Sequence, residues 1–296
     1  MKAILIAQSS EAIKSLCAGA RTQADEVVLV SFSGVEIPEG VADSVAILSL
    51  PEGAIVDDAA NSIIDFVKAE GADAIYVEST RSLKVIAGSV AHALNTSAIG
   101  EVIEFSAEGA TSMYFGGVAH KTEKASSDVA VYICSKDAFG KNTPSGANAS
   151  KEISYVAPER AVELVEETQI EKSGVDLNST DVVVAAGRGF GAKEDLALAQ
   201  TLADKLGGGL GCSRPLTEGV DWMPRESYIG VSGLMLAPKV YLGIGISGQM
   251  QHMVGANRTE TVFAINKDKN APIFKQCDYG LVGDLYDILP QLNNLL

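Results

Sequence analysis

The sequence predicts an α/β fold in two domains, each a mainly parallel sheet flanked by helices, with an antiparallel extension on the N-terminal one. Three observations carry that prediction. Short apolar runs alternate with helical periods from Ala3 to Leu94, the same alternation restarts at Asp181, and the later runs end in polar or glycine turns. Continuous apolar runs are what strands buried on both faces require, and helices between them supply the cover.

Composition sets the outer bounds. The chain has 296 residues, 47% of them hydrophobic, with 29 glycines and a formal net charge of −15. That length allows one large domain or two ordinary ones, and the apolar content fits a packed protein. The negative charge argues against nucleic-acid partners and anionic membrane surfaces, which it would repel. No run approaches the roughly 18 apolar residues of a membrane span, so no membrane insertion is expected. Cys17, Cys134, Cys212 and Cys277 are far apart and form no C-x-x-C pair. They read as reduced cysteines of a cytoplasmic protein without a metal or iron–sulfur site.

Taken in order, Ala3–Ala7 is a first strand and Glu11–Ala20 a helix, followed by apolar runs at Glu26–Ser31 and Val45–Leu50. Asp57–Ala69 has helical period and ends at Gly71, a residue suited to a helix C-terminus. Ala74–Val77 reads as a strand and Leu83–Leu94 as a helix of small residues. From Ala98 onward the helices stop. Ala98–Phe105, Thr111–Val118, Asp128–Cys134 and Glu152–Val156 read as an antiparallel extension, and Phe139–Ser150 as a loop. The domain boundary is expected at 174, giving domains 1–174 and 175–296.

The second half resumes with a strand at Asp181–Ala186, an amphipathic helix at Glu194–Leu206 and a short strand starting in Gly207–Gly211. Lys239–His252 then gives an apolar run into Gly243, Gly245 and Gly248, the spacing G-x-G-x-x-G. Thr261–Ile265 follows as a strand, and Tyr279–Leu289 reads as a closing helix that stops before Pro290. The turns Gly187–Gly189, Cys212–Arg214, Gly243–Gly248 and Asn266–Asp268 all follow strands. In a parallel sheet they share the carboxyl edge, where α/β ligands bind. Their backbone N–H groups, arginines and hydroxyls suit a pyrophosphate and a polar ring. Asp268, about 20 residues past the glycines, stands where a Rossmann unit places its ribose carboxylate.

The runs L-G-C-S-R-P, Y-I-G-V-S-G, G-I-S-G-Q-M-Q-H, A-I-N-K-D, A-P-I-F and D-Y-G-L-V-G-D-L together resemble the alpha subunit of electron-transfer flavoprotein. The resemblance covers 181–289 closely and the first domain more loosely, as at Val90–Phe105. It implies a Rossmann-like FAD-binding C-terminal domain and an N-terminal domain that meets a beta subunit. It also implies a carrier, not an enzyme, passing electrons between acyl-CoA dehydrogenase-type flavoenzymes and another acceptor, with electron bifurcation an open alternative.

By motif, the resemblance places Arg188 near the FAD phosphates, Ser213 and Arg214 on the family's G-A-S-R turn with Arg214 near the isoalloxazine, and Ile229, Gly230, Val231 and Ser232 on its V-G-Q-T segment. Ser247, Gly248, Gln249, Met250, Gln251 and His252 form a further segment, and Asn266, Asp284 and Leu285 complete the set. Reduction puts negative charge at flavin N1 and O2, and His252 and Arg214 are the candidates to stabilise it. Ser232 keeps the hydroxyl of the family's threonine. Two departures bear on redox poise: Val231 stands where glutamine is usual and Cys212 where alanine is. An amide contact worth ~1 kcal/mol would move a one-electron potential by roughly 40 mV.

Other prominent residues read as structural. His92 and His120 lie outside any motif, Met235, Met250 and Met253 suit packing, and Glu163, Glu166 and Glu167 form a solvated face. Trp222 fits a partner surface or a core equally. Two other functions compete: an NAD-dependent oxidoreductase using Gly243–Gly248, and a non-redox adenine-nucleotide sensor built on the first domain.

Overall fold

The computed structural model describes residues 1–115, 117, 119–162, 164–166, 168 and 175–296. Met1–Tyr114 with His120–Gln169 form one compact unit, and Phe115–Ala119 with Ile170–Leu296 the other. The expected boundary at 174 lies outside the described residues, as do Glu163 and Glu167 of the acidic run.

The first unit begins with β1 (Lys2–Ile6), α1 (Ser10–Ala20), β2 (Glu26–Phe32), β3 (Ser44–Leu48), α2 (Ala60–Glu70), β4 (Ala74–Glu78) and α3 (Arg81–Ala93). It continues with β5 (Ala98–Ser106), β6 (Gly109–Tyr114), β7 (Ala119–Glu123), β8 (Ala130–Cys134) and β9 (Ala149–Lys151). The sheet order is β7-β6-β5-β8-β4-β1-β2-β3-β9. Side-chain alternation splits its strands between two cores. Ala3, Leu5, Val27 and Leu29 pack on the α1 side with Ile13 and Leu16. Ile4, Ile6, Val28 and Val30 pack on the other side with Ile63, Leu83 and Ile86. Both helices are capped as their sequences allow: Ser9 accepts from the Ala12 N–H and Thr80 from the Leu83 N–H.

The antiparallel extension is smaller than expected. β5 and β6 pair antiparallel. β8 instead inserts parallel between β4 and β5, and β9 runs parallel beside β3. The expected strand at Glu152–Val156 is absent, and β9 begins three residues earlier, overlapping the end of the expected loop. An apolar run states that a strand is buried but not which way it runs. Here the described return from β7 to β8 crosses the sheet instead of closing a hairpin.

The second unit contains β10 (Val182–Ala186), α4 (Leu196–Lys205), β11 (Gly209–Cys212), α5 (Pro215–Glu218), β12 (Val240–Ile244), α6 (Met250–Met253), β13 (Thr261–Asn266), β14 (Tyr279–Val282) and α7 (Leu285–Leu295). Its five strands are all parallel, in the order β11-β10-β12-β13-β14. Counted within the unit this is 2-1-3-4-5, the flavodoxin-type order, and not the 3-2-1-4-5-6 of the dinucleotide fold. Val183 and Ala185 face one core with Tyr241 and Met253. Val184 and Ala186 face the other with Leu202, Ile244 and Leu289. Trp222 is half-buried and packs against that second core.

The closing helix differs from expectation at both ends. Tyr279–Val282 is an edge strand in register with Phe263–Asn266, and the Tyr279 ring stacks on Phe263 at 4.9 Å. Asp284 starts the helix by accepting from the Tyr286 N–H, and the helix then runs through Pro290. Proline there withholds the N–H that would bond the Tyr286 carbonyl. Burial of Leu285 and Leu289 against α4 outweighs that loss.

Pro290→Ala is therefore expected to stabilise the unit by about 2 kcal/mol, the ~3 kcal/mol cost of an interior proline less up to ~1 kcal/mol of lost chain stiffness. Urea unfolding measures it; an unchanged midpoint would mean that the helix ends before Pro290.

Candidate flavin site at the carboxyl edge

In a 2-1-3-4-5 sheet, the chains leaving the first and third strands depart to opposite faces, opening a crevice at their carboxyl ends. Here those strands are β10 and β12, and the residues that follow are Gly187-Arg188-Gly189 and Gly245-Ile246-Ser247-Gly248. The two loops touch backbone to backbone. The Gly189 N–H donates to the Gly245 carbonyl at 3.0 Å, and the Gly187 N–H to Ile244 at 2.9 Å. A Cβ on Gly187 would stand 2.3 Å from the Gly245 oxygen, and one on Gly189 2.6 Å from the Gly245 Cα. Gly245 itself holds a φ of +64° with Gly189 Cα 2.8 Å from its would-be Cβ. No side chain fits at these three positions, so a ligand in the crevice meets bare main chain.

The cleft is lined by Gly189, Gly245, Ile265, Asn266, Lys267, Gly283, Asp284, Leu285 and Tyr286. The motif residues Asn266, Asp284 and Leu285 thus come together with the two glycine loops. Asn266 also ties neighbouring loops, donating to the Ile246 carbonyl at 2.9 Å and accepting from the Asp268 N–H. Arg188 is exposed on its loop. Tyr286 was not foreseen: its hydroxyl accepts from the Gly191 N–H at 2.7 Å and donates to Asp195 at 2.5 Å. It clamps the loop carrying Arg188 to the start of α7. Asp268 is not part of the cleft. It is exposed and accepts from the Asn270 N–H two residues on, which makes it a local turn residue.

A second group forms beside β11. The Ile229 N–H donates to the Cys212 carbonyl at 2.9 Å and the Val231 N–H to the Gln251 carbonyl at 2.8 Å. These bonds join Ser213 and Arg214, Ile229–Ser232, and Gln251 and His252. A Cβ on Gly230 would lie 2.4 Å from the Gln251 oxygen. Ile229 is wholly buried in the core, so it offers only main chain to a ligand. Ser213 is buried, while Ser232, Ser247, Gln249, Met250 and Gln251 are exposed. Ser232 takes a left-handed φ of 68°. Gly248 packs against Ile273, which donates its N–H to the Ser247 carbonyl. Of the methionines read as packing, Met253 is fully buried, while Met235 and Met250 are exposed.

Arg214 reaches solvent and is paired with Glu218 one turn on, Nε to Oε2 at 2.5 Å, and the same carboxylate approaches Arg225 at 4.0 Å. The Glu218 hydrogen bond and charge raise the Arg214 pKa further. Cys212 is buried, and burial pushes its thiol up to about 12, so it is an inert small residue.

His252 is the buried imidazole of the site. It is 7% exposed, and its Nε2 lies 2.6 Å from the hydroxyl of Tyr241 on β12. Burial holds its pKa down to about 4, against a smaller opposing effect of the Ile229 main chain. Its Nδ1 is buried with no hydrogen-bond partner. An unpartnered buried polar atom costs about 1–3 kcal/mol, so a group that meets it would be held there.

Comparison with known proteins gives these features a family. Residues 10–161 match the electron transfer flavoprotein domain and residues 176–257 the electron transfer flavoprotein FAD-binding domain. Protein FixB of Escherichia coli O6:K15:H31 is 39% identical over 253 residues, covering 83% of this chain and 81% of that protein. Protein FixB of E. coli O1:K1 is 39% identical over 249 residues, covering 82% and 80%. Protein FixB of E. coli strain 55989 is 36% identical over 295 residues, covering 96% and 94%. The two units and the glycine-walled crevice are those of a nucleotide-cofactor-binding α/β protein. The chain belongs to the electron-transfer flavoprotein family, as an alpha subunit, and its cofactor is FAD. The bare glycine walls and the unpartnered His252 Nδ1 both fit such a group. Among the described residues no helix is long and apolar enough to cross a membrane.

Two outcomes follow. Gly245→Ala places a side chain in left-handed backbone, costing roughly 1–2 kcal/mol before any clash, and it pushes the loops apart. It should lower both the urea midpoint and FAD retention; unchanged values would deny the close approach. His252 keeps a folded-state pKa below its unfolded value of about 6.5. Stability is therefore intact above pH 6.5 and falls as pH drops toward 4, by roughly 3 kcal/mol at most. Urea melts between pH 7 and 4.5 should show a shallower fall in His252→Asn than in wild type.

Proposed function

We propose that this chain, as the alpha subunit of a heterodimeric electron-transfer flavoprotein, holds FAD at the carboxyl edge of its second unit. It then shuttles electrons in the cytoplasm between flavin dehydrogenases of the acyl-CoA dehydrogenase type and another redox partner. The domain 1–174 meets the beta subunit, and the domain 175–296 binds the cofactor. The observation that carries the site is the glycine-on-glycine contact at the β10/β12 switch point, with the buried, half-satisfied His252 in the same unit.

FAD supplies the one- and two-electron chemistry. The chain's own residues hold and tune it. The main-chain N–H groups around Arg188 and Ser247–Gln249, with the exposed Arg188 guanidinium, suit the phosphates. Asn266, Asp284 and Leu285 line the cleft beyond them. Ser213, Arg214, Ile229–Ser232, Met250, Gln251 and His252 surround the ring system. Arg214 supplies a positive charge there, partly cancelled by Glu218.

Neither competing function gains support. An NAD-dependent oxidoreductase would open its fold on the G-x-G-x-x-G turn, whereas here it follows the third strand of its unit, and Asp268 caps its own turn. An adenine-nucleotide site in the first unit would use the start of α1. There the Glu78 carboxylate already accepts from the Gln8 and Ser9 N–H groups at 2.7 and 3.1 Å and from the Ser9 hydroxyl at 2.6 Å.

Purification of the heterodimer tests the reading: a yellow protein with extractable FAD, reduced by an acyl-CoA dehydrogenase, is expected. One FAD per heterodimer means a simple carrier and two mean bifurcation, whereas a colourless protein that binds NAD(H) ends the proposal. Arg214→Ala should lower the flavin potential, on the order of 20 mV because an exposed charge is screened, and Glu218→Gln should raise it. Equal titration curves for all three proteins would remove Arg214 from the flavin's surroundings.

A further inference from the structure

We propose that Tyr241 is a positioning residue that fixes the tautomer of His252, keeping the ring proton on Nδ1 as a donor reserved for a carbonyl or anionic oxygen of the ligand. This rests on the site reading above only for the ligand's identity; the tautomer is a property of the chain itself.

The geometry allows two arrangements. In one, the Tyr241 hydroxyl donates to Nε2 and the ring proton sits on Nδ1. In the other, Nε2–H donates to the Tyr241 oxygen. Tyr241 is fully buried in the core of the second unit, 0% exposed, and its hydroxyl is 2.6 Å from Nε2. Nδ1 makes no formed hydrogen bond in either case, and the Ile229 main chain is the protein group that acts on the ring beside it. The difference therefore lies in the phenol. If it accepts, its own O–H is left unbonded in an apolar core, and the Nδ1 lone pair is unbonded as well. If it donates, the only unmet group is the Nδ1–H. A neutral imidazole nitrogen is also the better acceptor of the two atoms. One fewer orphaned buried group biases the ring by roughly tenfold or more toward Nδ1–H.

The ring has little freedom to escape this choice. His252 lies within the short helix after the Gly248 turn, its own N–H donates to the Gln249 carbonyl, and its neighbour Met253 is fully buried. The Val231 N–H, held by the Gln251 carbonyl, pins the facing turn. The burial that keeps the ring uncharged also means that it offers one proton and not two. Nδ1–H then recognises an acceptor, which is what a flavin pyrimidine carbonyl presents and an amino group does not.

The chain has three histidines, and His92 and His120 are exposed, so long-range 15N–1H NMR on imidazole-labelled full chain resolves the question. His92→Gln and His120→Gln assign the signals. At pH 7, with FAD removed, His252 should show a protonated Nδ1 and an unprotonated Nε2. Tyr241→Phe should bring the Nε2–H share to at least half and, in the FAD-loaded heterodimer, lower the flavin potential. A protonated Nε2 in the wild-type chain overturns the proposal, whether or not the variant folds. So does a Tyr241→Phe variant that keeps both the Nδ1–H signal and the wild-type potential. If the wild-type chain shows Nδ1–H but the heterodimer takes up no FAD, the flavin reading fails and the tautomer assignment stands.

Discussion

The second unit depends on a main-chain contact between glycines. Gly187 and Gly189 on one loop and Gly245 on the other leave the sheet at its switch point with no room for a Cβ between them. That contact sets the distance between β10 and β12 at their carboxyl ends and leaves their peptide groups bare. It also fixes where the chain goes next. From Gly245 the loop reaches Gly248, packs on Ile273, and starts the helix carrying His252. The same approach positions Arg188 on one side and the cleft lined by Asn266, Asp284 and Leu285 on the other.

Around this contact the loops are tied together by paired polar groups. Tyr286 and Asp195 hold the loop after β10, Asn266 ties β13 to the loop after β12, and Gln251 ties that loop to the Val231 turn. Among the described residues of the site, His252 Nδ1 is buried without a hydrogen-bond partner. A folded protein rarely leaves such an atom without a reason. The first unit shows the opposite arrangement. Its corresponding helix start is filled by Glu78, so a similar sheet edge is closed by the protein's own carboxylate.

Much of this was legible in the sequence where the signal was local. The apolar runs gave most of the strands of both sheets, and Gly243–Gly248 with its flanking motifs marked the sheet edge at which the site is proposed. What the sequence hid was direction and partnership. Ala130–Cys134 reads as a strand, but its insertion between β4 and β5 is a choice made by the whole sheet. Tyr279–Leu289 has apolar residues at helical spacing, yet Phe263 offers Tyr279 a stacking partner that turns it into an edge strand. Pro290 suggested a stop that α4 packing overrides. Asp268 matched a spacing from a different strand order. Tyr286 went unread because its partners Gly191 and Asp195 are far away in sequence, and Tyr241 and Glu218 because each acts through its side-chain tip on a residue nearer by. The one available hint was a tyrosine, with its polar tip, inside the otherwise apolar run Val240–Leu242.

The central claim is that the crevice formed by the glycine loops of the second unit is where FAD is held. Amide hydrogen exchange on the full heterodimer with and without FAD tests it directly. The account predicts added protection at 187–191, 229–232, 245–252 and 283–286, with the first unit unchanged. Protection confined to 8–10 and 79–81 at the first unit's sheet edge, with none at the glycine loops, would contradict it.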